Sequence, residues 1–133
     1  MAFEIEVTHG GGKKIDAKIG NFVIHTDQAK ESGGEGSAPE PYMLFLASLA
    51  TCAGIYVIGF CQARSIPTEN IRITQDHEFD TKTGKMSKIK LQVHVPDDFP
   101  EKYLKTVQRA AALCAVKKTI EDPPVMQVET VVD

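Results

Sequence analysis

The sequence predicts an α+β fold in one domain spanning 1–133. Three observations carry that expectation. An uncharged run from Tyr42 to Cys61 is almost wholly apolar. Stretches that alternate apolar and polar residues flank it on both sides. The resulting order is three strands, a long helix, a strand pair, a second helix and a last strand, which is not the βαβα alternation of a parallel sheet. The length of 133 residues fits a single domain.

Phe3, Ile5 and Val7 alternate with Glu4, Glu6 and Thr8, the period of a strand. Gly10-Gly11-Gly12 marks a turn, and Ile15, Ala17 and Ile19 give a second strand. Gly20-Asn21 connects it tightly to a third over 22–26, so the chain opens as a three-stranded antiparallel meander. Asp27 to Ser37 is polar and glycine-rich and reads as a mobile loop.

Pro41 suits the first position of a helix, where its missing N–H would find no partner anyway. The helix is expected to run to Arg64, where a cation favours the last carbonyls, with Pro67 forbidding continuation. Apolar residues cover nearly its whole circumference, which excludes an ordinary surface helix. A buried central helix and a bilayer span both fit the length. The flanking strands need a core to cover, and that favours the central helix. A helix of roughly 22 residues is about 33 Å long, more than a domain of this size wraps on every side. The simplest cover is a second copy in a two-fold dimer.

Beyond the helix, Ile71 and Ile73 begin a strand that extends toward Phe79. Thr81–Lys85 makes a hairpin turn, and Ile89, Leu91, Val93 and Val95 form the clearest alternating strand. Pro100 starts a helix in which Tyr103, Leu104, Val107, Ala110, Ala111 and Cys114 recur at helical spacing. A further helical turn is expected over Val116–Ile120, and a weakly alternating last strand over Val125–Val132.

Composition narrows the function. A formal charge of −3 and a pI near 5.8 give no reason to expect nucleic acid or an anionic membrane as partner. The start Met1-Ala2-Phe3-Glu4-Ile5-Glu6 lacks the basic and apolar regions of a signal peptide, so a cytoplasmic protein is expected. In that reducing compartment Cys52, Cys61 and Cys114 are not a disulfide framework. No C-x-x-C pattern and no histidine at zinc spacing accompanies them, so neither a metal nor another cofactor is expected. His9, His25, His77 and His94 are scattered over strands and suggest no cluster.

Each cysteine has a plain reading as a small core hydrophobe. Cys61 points to a different side of the helix from Cys52. Cys114 precedes Lys117 and Lys118, which could favour a thiolate or simply form a solvated turn. Reactive thiol chemistry on a substrate oxygen would need one thiol that ionises and a second close enough to condense with the resulting sulfenic acid. Burial in mid-helix would raise the pKa of Cys52. A cation, or several backbone N–H groups, would have to come from elsewhere in the fold or from a partner.

Two motifs resemble those of the OsmC/Ohr family, the osmotically inducible protein C and organic hydroperoxide resistance proteins. One is Gly33-Gly34, then Pro39-Glu40-Pro41-Tyr42-Met43-Leu44, then Ala47-Ser48-Leu49-Ala50-Thr51-Cys52. The other is Ala112-Leu113-Cys114-Ala115-Val116-Lys117-Lys118-Thr119-Ile120, similar to the family's Cys-Pro-Val-Ser-Lys. The resemblance covers essentially the whole chain. It implies an OsmC-like fold and an intertwined homodimer with sites at its interface. It also implies that Cys52 attacks an organic hydroperoxide, that Cys114 resolves it as a disulfide, and that a dithiol reduces the pair. The chain departs from the family's peroxidases in three places. It has no arginine before Arg64, which leaves Lys13, Lys14 or Lys18 as substitutes. Tyr42 stands at the glutamate spacing, with Glu40 two residues earlier. Ala115 replaces the proline after the second cysteine. The departures keep a second reading open: a non-enzymatic OsmC-like dimer that binds a small apolar ligand at its interface. A third makes Cys52 and Cys114 separate core residues, too far apart to react.

Overall fold

The structure, a computed structural model, describes residues 3–133. It is α+β, as the pattern of the sequence requires, and divides into two compact units, Met1–Ala47 and Ser48–Asp133.

In the first unit β1 (Ile5–His9), β2 (Ile15–Ile19) and β3 (Phe22–Thr26) form the expected antiparallel meander. Ile5 faces Ile19 across the first pair, and Ala17 faces Ile24 across the second. Gly11 and Gly12 adopt φ of 97° and 58° in the first turn, and Gly20 adopts 57° in the second, conformations that a side chain would strain. The loop after β3 is more ordered than its polarity suggests. Asp27 is buried and serves as its hub. Its carboxylate accepts from the N–H of Gln28 at 2.7 Å, the N–H of Ser37 at 3.1 Å and the hydroxyl of Ser37 at 2.6 Å. Gly34 passes so close to the Gln28 carbonyl that any Cβ there would collide with backbone.

Helix α1 (Pro41–Gln62) begins at the predicted proline and ends two residues short of Arg64. The end is a Schellman turn. Ser65 takes the left-handed conformation, φ 54°, while Ser65 N–H bonds to Gln62 O and Ile66 N–H to Cys61 O. Arg64 lies over the ring of Phe60, 3.7 Å from its centroid, and donates to the Phe60 carbonyl.

In the second unit β4 (Arg72–Phe79) and β5 (Met86–His94) form a hairpin whose turn is tied by Asp80 to the N–H groups of Lys82 and Thr83. Helices α2 (Leu104–Ala111) and α3 (Ala115–Glu121) follow. Strand alternation turns Ile73, Ile89, Leu91 and Val93 inward. They pack with Leu49, Ala53 and Val57 of α1 and with Val107 of α2. By length and composition alone α1 could cross a bilayer; from Leu49 onward it packs a stripe against β4, β5 and α2. Only one stripe is buried: Leu49, Ala53, Val57, Phe60 and Cys61. Ile55 remains 66% exposed and Tyr56 38%, and the space beside Gly59 is open.

The last strand, expected over Val125–Val132, does not form. Residues 123–133 have no regular structure, and Val125 and Val128 are 97% and 94% exposed. A strand exists only against a partner edge, and among the described residues this segment has no ladder to join. Its weak alternation offers no buried face to bring it to one.

Candidate thiol site

Helix α1 places Leu49, Cys52 and Ala53 within one turn. Leu49 and Ala53 form a buried cluster with Cys114, and Cys52, Ile73, Ile89, Leu91, Ala111 and Val116 pack against it. Two sulfurs more than 60 residues apart in sequence thus meet in one cluster, so the reading in which they lie too far apart to interact is set aside. All three cysteines are free thiols.

Cys114 owes its position to capping. It is the N-cap of α3, and its Sγ accepts from Lys117 N–H at 3.5 Å. Its thiol reaches the Leu49 carbonyl at 3.7 Å, which ties α3 to α1. The first N–H groups of a helix have no intrahelical acceptor. In α3 those of Val116 and Ala115 act as donors that favour the Cys52 thiolate.

The electrostatics of the two thiols differ accordingly. Cys52 is held below the ordinary thiol value, chiefly by the hydrogen bond from Val116 N–H, then by the Cys114 thiol. Its partial burial opposes this and Ala115 N–H adds to it. Cys114 is pushed up by burial, and the N–H of Lys117 offsets only part of that. Cys52 is therefore the thiol that ionises first, with Cys114 as its protonated neighbour. Burial does push Cys52 upward, as its mid-helix position leads one to expect, and N–H groups from another element outweigh it. A half-buried thiolate facing helix N–H dipoles gains more from them than it loses by desolvation.

Cys61 sits with Val57, Phe60, Phe99 and Val107 in the other core cluster. Burial raises its pKa, with Arg64 opposing weakly. Lys13, Lys14, Lys18 and Glu40 belong to the first unit. There Lys14 pairs with Glu35 at 2.7 Å, Lys18 faces Glu6 in the β-ladder, and the Glu40 carbonyl accepts from Met43 N–H as α1 starts. Tyr42 packs its ring against Phe45 at 5.7 Å. The histidines make local bonds: His9 to Gly12 O, His25 to Asp16, His77 to Gln75 and His94 to Thr74. Among the described residues no three His, Cys, Asp or Glu side chains converge as a metal site.

Residues 34–129 match the family described as OsmC-like protein. The chain belongs to the OsmC-like family. Solved structures agree in fold. A protein described as an osmotic stress induced and detoxification response protein, from Psychrobacter arcticus 273-4, superposes with a TM-score of 0.74 at 21% identity, over 90% of this chain and 88% of that one. The OsmC like protein of Mycoplasma pneumoniae gives 0.72 at 16%, over 92% and 89%. An organic hydroperoxide resistance protein OsmC from Legionella pneumophila gives 0.58 at 20%, over 90% and 89%. No curated protein matches the sequence. Against the OsmC-like pattern, Ala115 gains meaning: a proline there has no N–H, whereas Ala115 supplies a second backbone donor to Cys52.

The N–H groups that the sequence called for without placing are those that open α3. The signal was present, since a helical turn was expected immediately after Cys114, and a helix start implies unpaired N–H groups.

Proposed function

We propose that this OsmC-like protein is a thiol-dependent peroxidase that reduces organic hydroperoxides through Cys52 and Cys114. The observation that carries this reading is the pairing of an acidified thiol with a protonated one in the same cluster. The Cys52 thiolate attacks the terminal peroxide oxygen. The O–O bond breaks, the alkoxide takes a proton from solvent and leaves as the alcohol, and Cys52 becomes a sulfenic acid. Cys114 then attacks that sulfur. Its proton and the departing hydroxide form water, and a disulfide remains. Two electrons pass from the thiol pair to the peroxide, and a dithiol restores them.

The same reading makes the protein a cytoplasmic homodimer whose copies cover each other's α1. The exposed apolar residues Ile55 and Tyr56 and the open face at Gly59 support it. Each protomer is one OsmC-like domain, 1–133. Sedimentation at micromolar concentration is expected to give twice the mass of 14.6 kDa.

The test is a titration of reduced protein with cumene hydroperoxide, counting free thiols and mapping disulfides by mass. Loss of two thiols per chain, with a Cys52–Cys114 peptide, is expected. Unchanged thiols at millimolar peroxide would reject the peroxidase.

A further inference from the structure

Helix α3 is fastened to the rest of the chain chiefly through sulfur. None of its 7 residues is buried, and among the described residues of this helix only Val116 packs against a core cluster. Its side-chain bonds are internal: Lys117 pairs with Glu121 at 3.4 Å, and the Thr119 hydroxyl donates to the Ala115 carbonyl at 2.9 Å. A helix this short does not persist in water on its own propensity. The Cys114 thiol supplies the anchor. It accepts from Lys117 N–H at 3.5 Å and donates to the Leu49 carbonyl of α1 at 3.7 Å. We propose that the Cys52–Cys114 pair is also a redox switch for this helix: closing the disulfide unfastens α3 from α1 and lets it fray.

The inference rests on the reading above in one respect, that the peroxidase cycle oxidises this pair. In that oxidation the two thiols give up two electrons and two protons, the electrons pass to the peroxide, and one S–S bond forms. Cys114 then has no hydrogen left to donate, so its bond to the Leu49 carbonyl is lost outright. Its sulfur turns toward Cys52 and away from Lys117 N–H, and the helix loses its cap. The Cys52 sulfur becomes neutral, which takes the anionic acceptor from the N–H groups of Val116 and Ala115. The new bond tethers residue 114, just before the helix, and gives nothing to the turn beyond it. The bonds that open are those of the helix itself, Lys118 N–H to Cys114 O at 3.1 Å and Asp122 N–H to Lys118 O at 2.9 Å. The core of Leu49, Ala53, Val57 and Val107 packs on carbon and keeps its contacts. Oxidised and reduced chains therefore differ at one surface, that of α3 and the chain that follows it.

The experiment makes the disulfide with diamide, whose N=N bond takes up the two electrons and two protons. A protein that ignores hydroperoxides would thus fail the earlier reading, yet the switch would still be decided. Amide hydrogen exchange of reduced and oxidised protein is followed by peptide mass. Amides over 117–122 are expected to exchange at least about ten-fold faster after oxidation, while those of β4 and β5 stay within about two-fold. Two variants separate the cap from the covalent bond. Cys114→Ala has neither cap nor disulfide, and its α3 should exchange as fast as in the oxidised wild type, with or without diamide. Cys114→Ser keeps a capping oxygen and a hydroxyl donor, so its α3 should stay within about three-fold of the reduced wild type and should not respond to diamide. Both variants should keep wild-type protection in β4 and β5. Three results would each overturn the switch: no Cys52–Cys114 bond with diamide, α3 protection that is unchanged or greater once the bond has formed, or a Cys114→Ser helix that exchanges as fast as that of Cys114→Ala.

Discussion

Cys52 and Cys61 stand on the same uncharged helix, fewer than three turns apart, and the fold gives them opposite chemistry. Cys61 is sealed among Val57, Phe60 and Phe99, and burial alone raises its pKa. Cys52 is also partly removed from water, but it meets the unpaired N–H groups that open α3 and is acidified. The difference teaches that α1 does not decide which of its thiols ionises. The decision lies with the element that each thiol faces. Asp27 repeats the lesson with a carboxylate: it is buried, yet N–H and hydroxyl donors, led by Ser37, hold it at about 2.

The largest way to break the comparison is to remove each thiol in turn. Cys52→Ser is expected to lower peroxide consumption by at least about a thousand-fold, since the nucleophile is lost. Cys61→Ala is expected to leave the rate within about two-fold while costing about 1–2 kcal/mol in urea unfolding, the range for a small core truncation. Equal losses in both variants would erase the distinction. Cys114→Ser comes next. The first oxidation should stay within about three-fold, while turnover with a dithiol falls at least about thirty-fold and Cys52 sulfenic acid accumulates for dimedone to trap.

A smaller effect is expected from Ala115→Pro. Proline is tolerated at the first helical position and there deletes only the lesser N–H donor to Cys52. The pKa of Cys52 should rise, the oxidation rate near pH 7 should fall about three-fold, and the circular dichroism should not change. Ala115→Gly, which keeps the N–H, should react like wild type.

The smallest effect concerns the carboxylate parallel. The folded pKa of Asp27, about 2, lies below its ordinary 3.8. Its stabilising contribution is therefore complete above about pH 5 and is lost as pH falls through 4 toward 2. Thermal melts of wild type and Asp27→Asn should differ at about pH 5 and converge near pH 2. A constant difference would mean that charge plays no part.

The periodic elements were legible because their patterns are local. Pro41 sets the start of α1, and glycines set the turns of the meander. The strand at Val125–Val132 was not legible, because a strand depends on an edge that the segment's own residues do not specify. The sequence also singled out Cys52 and Cys114 through its motifs, and the fold brings them into one cluster. It could not give their ionisation, because the decisive donors are backbone N–H groups, present at every residue and revealed only by where a helix begins. Asp27 was hidden for a related reason: an acidic residue in a polar, glycine-rich stretch reads as solvent-exposed until its donors are seen.

Alkylation with iodoacetamide as a function of pH, mapped residue by residue by mass, tests the ionisation of Cys52 directly. Cys52 is expected to label first, with an apparent pKa below that of an unperturbed thiol, while Cys61 stays unlabelled until the protein unfolds. A Cys52 that titrates at or above the unperturbed value, or that labels no sooner than Cys61, would contradict the role assigned to the N–H groups of Val116 and Ala115.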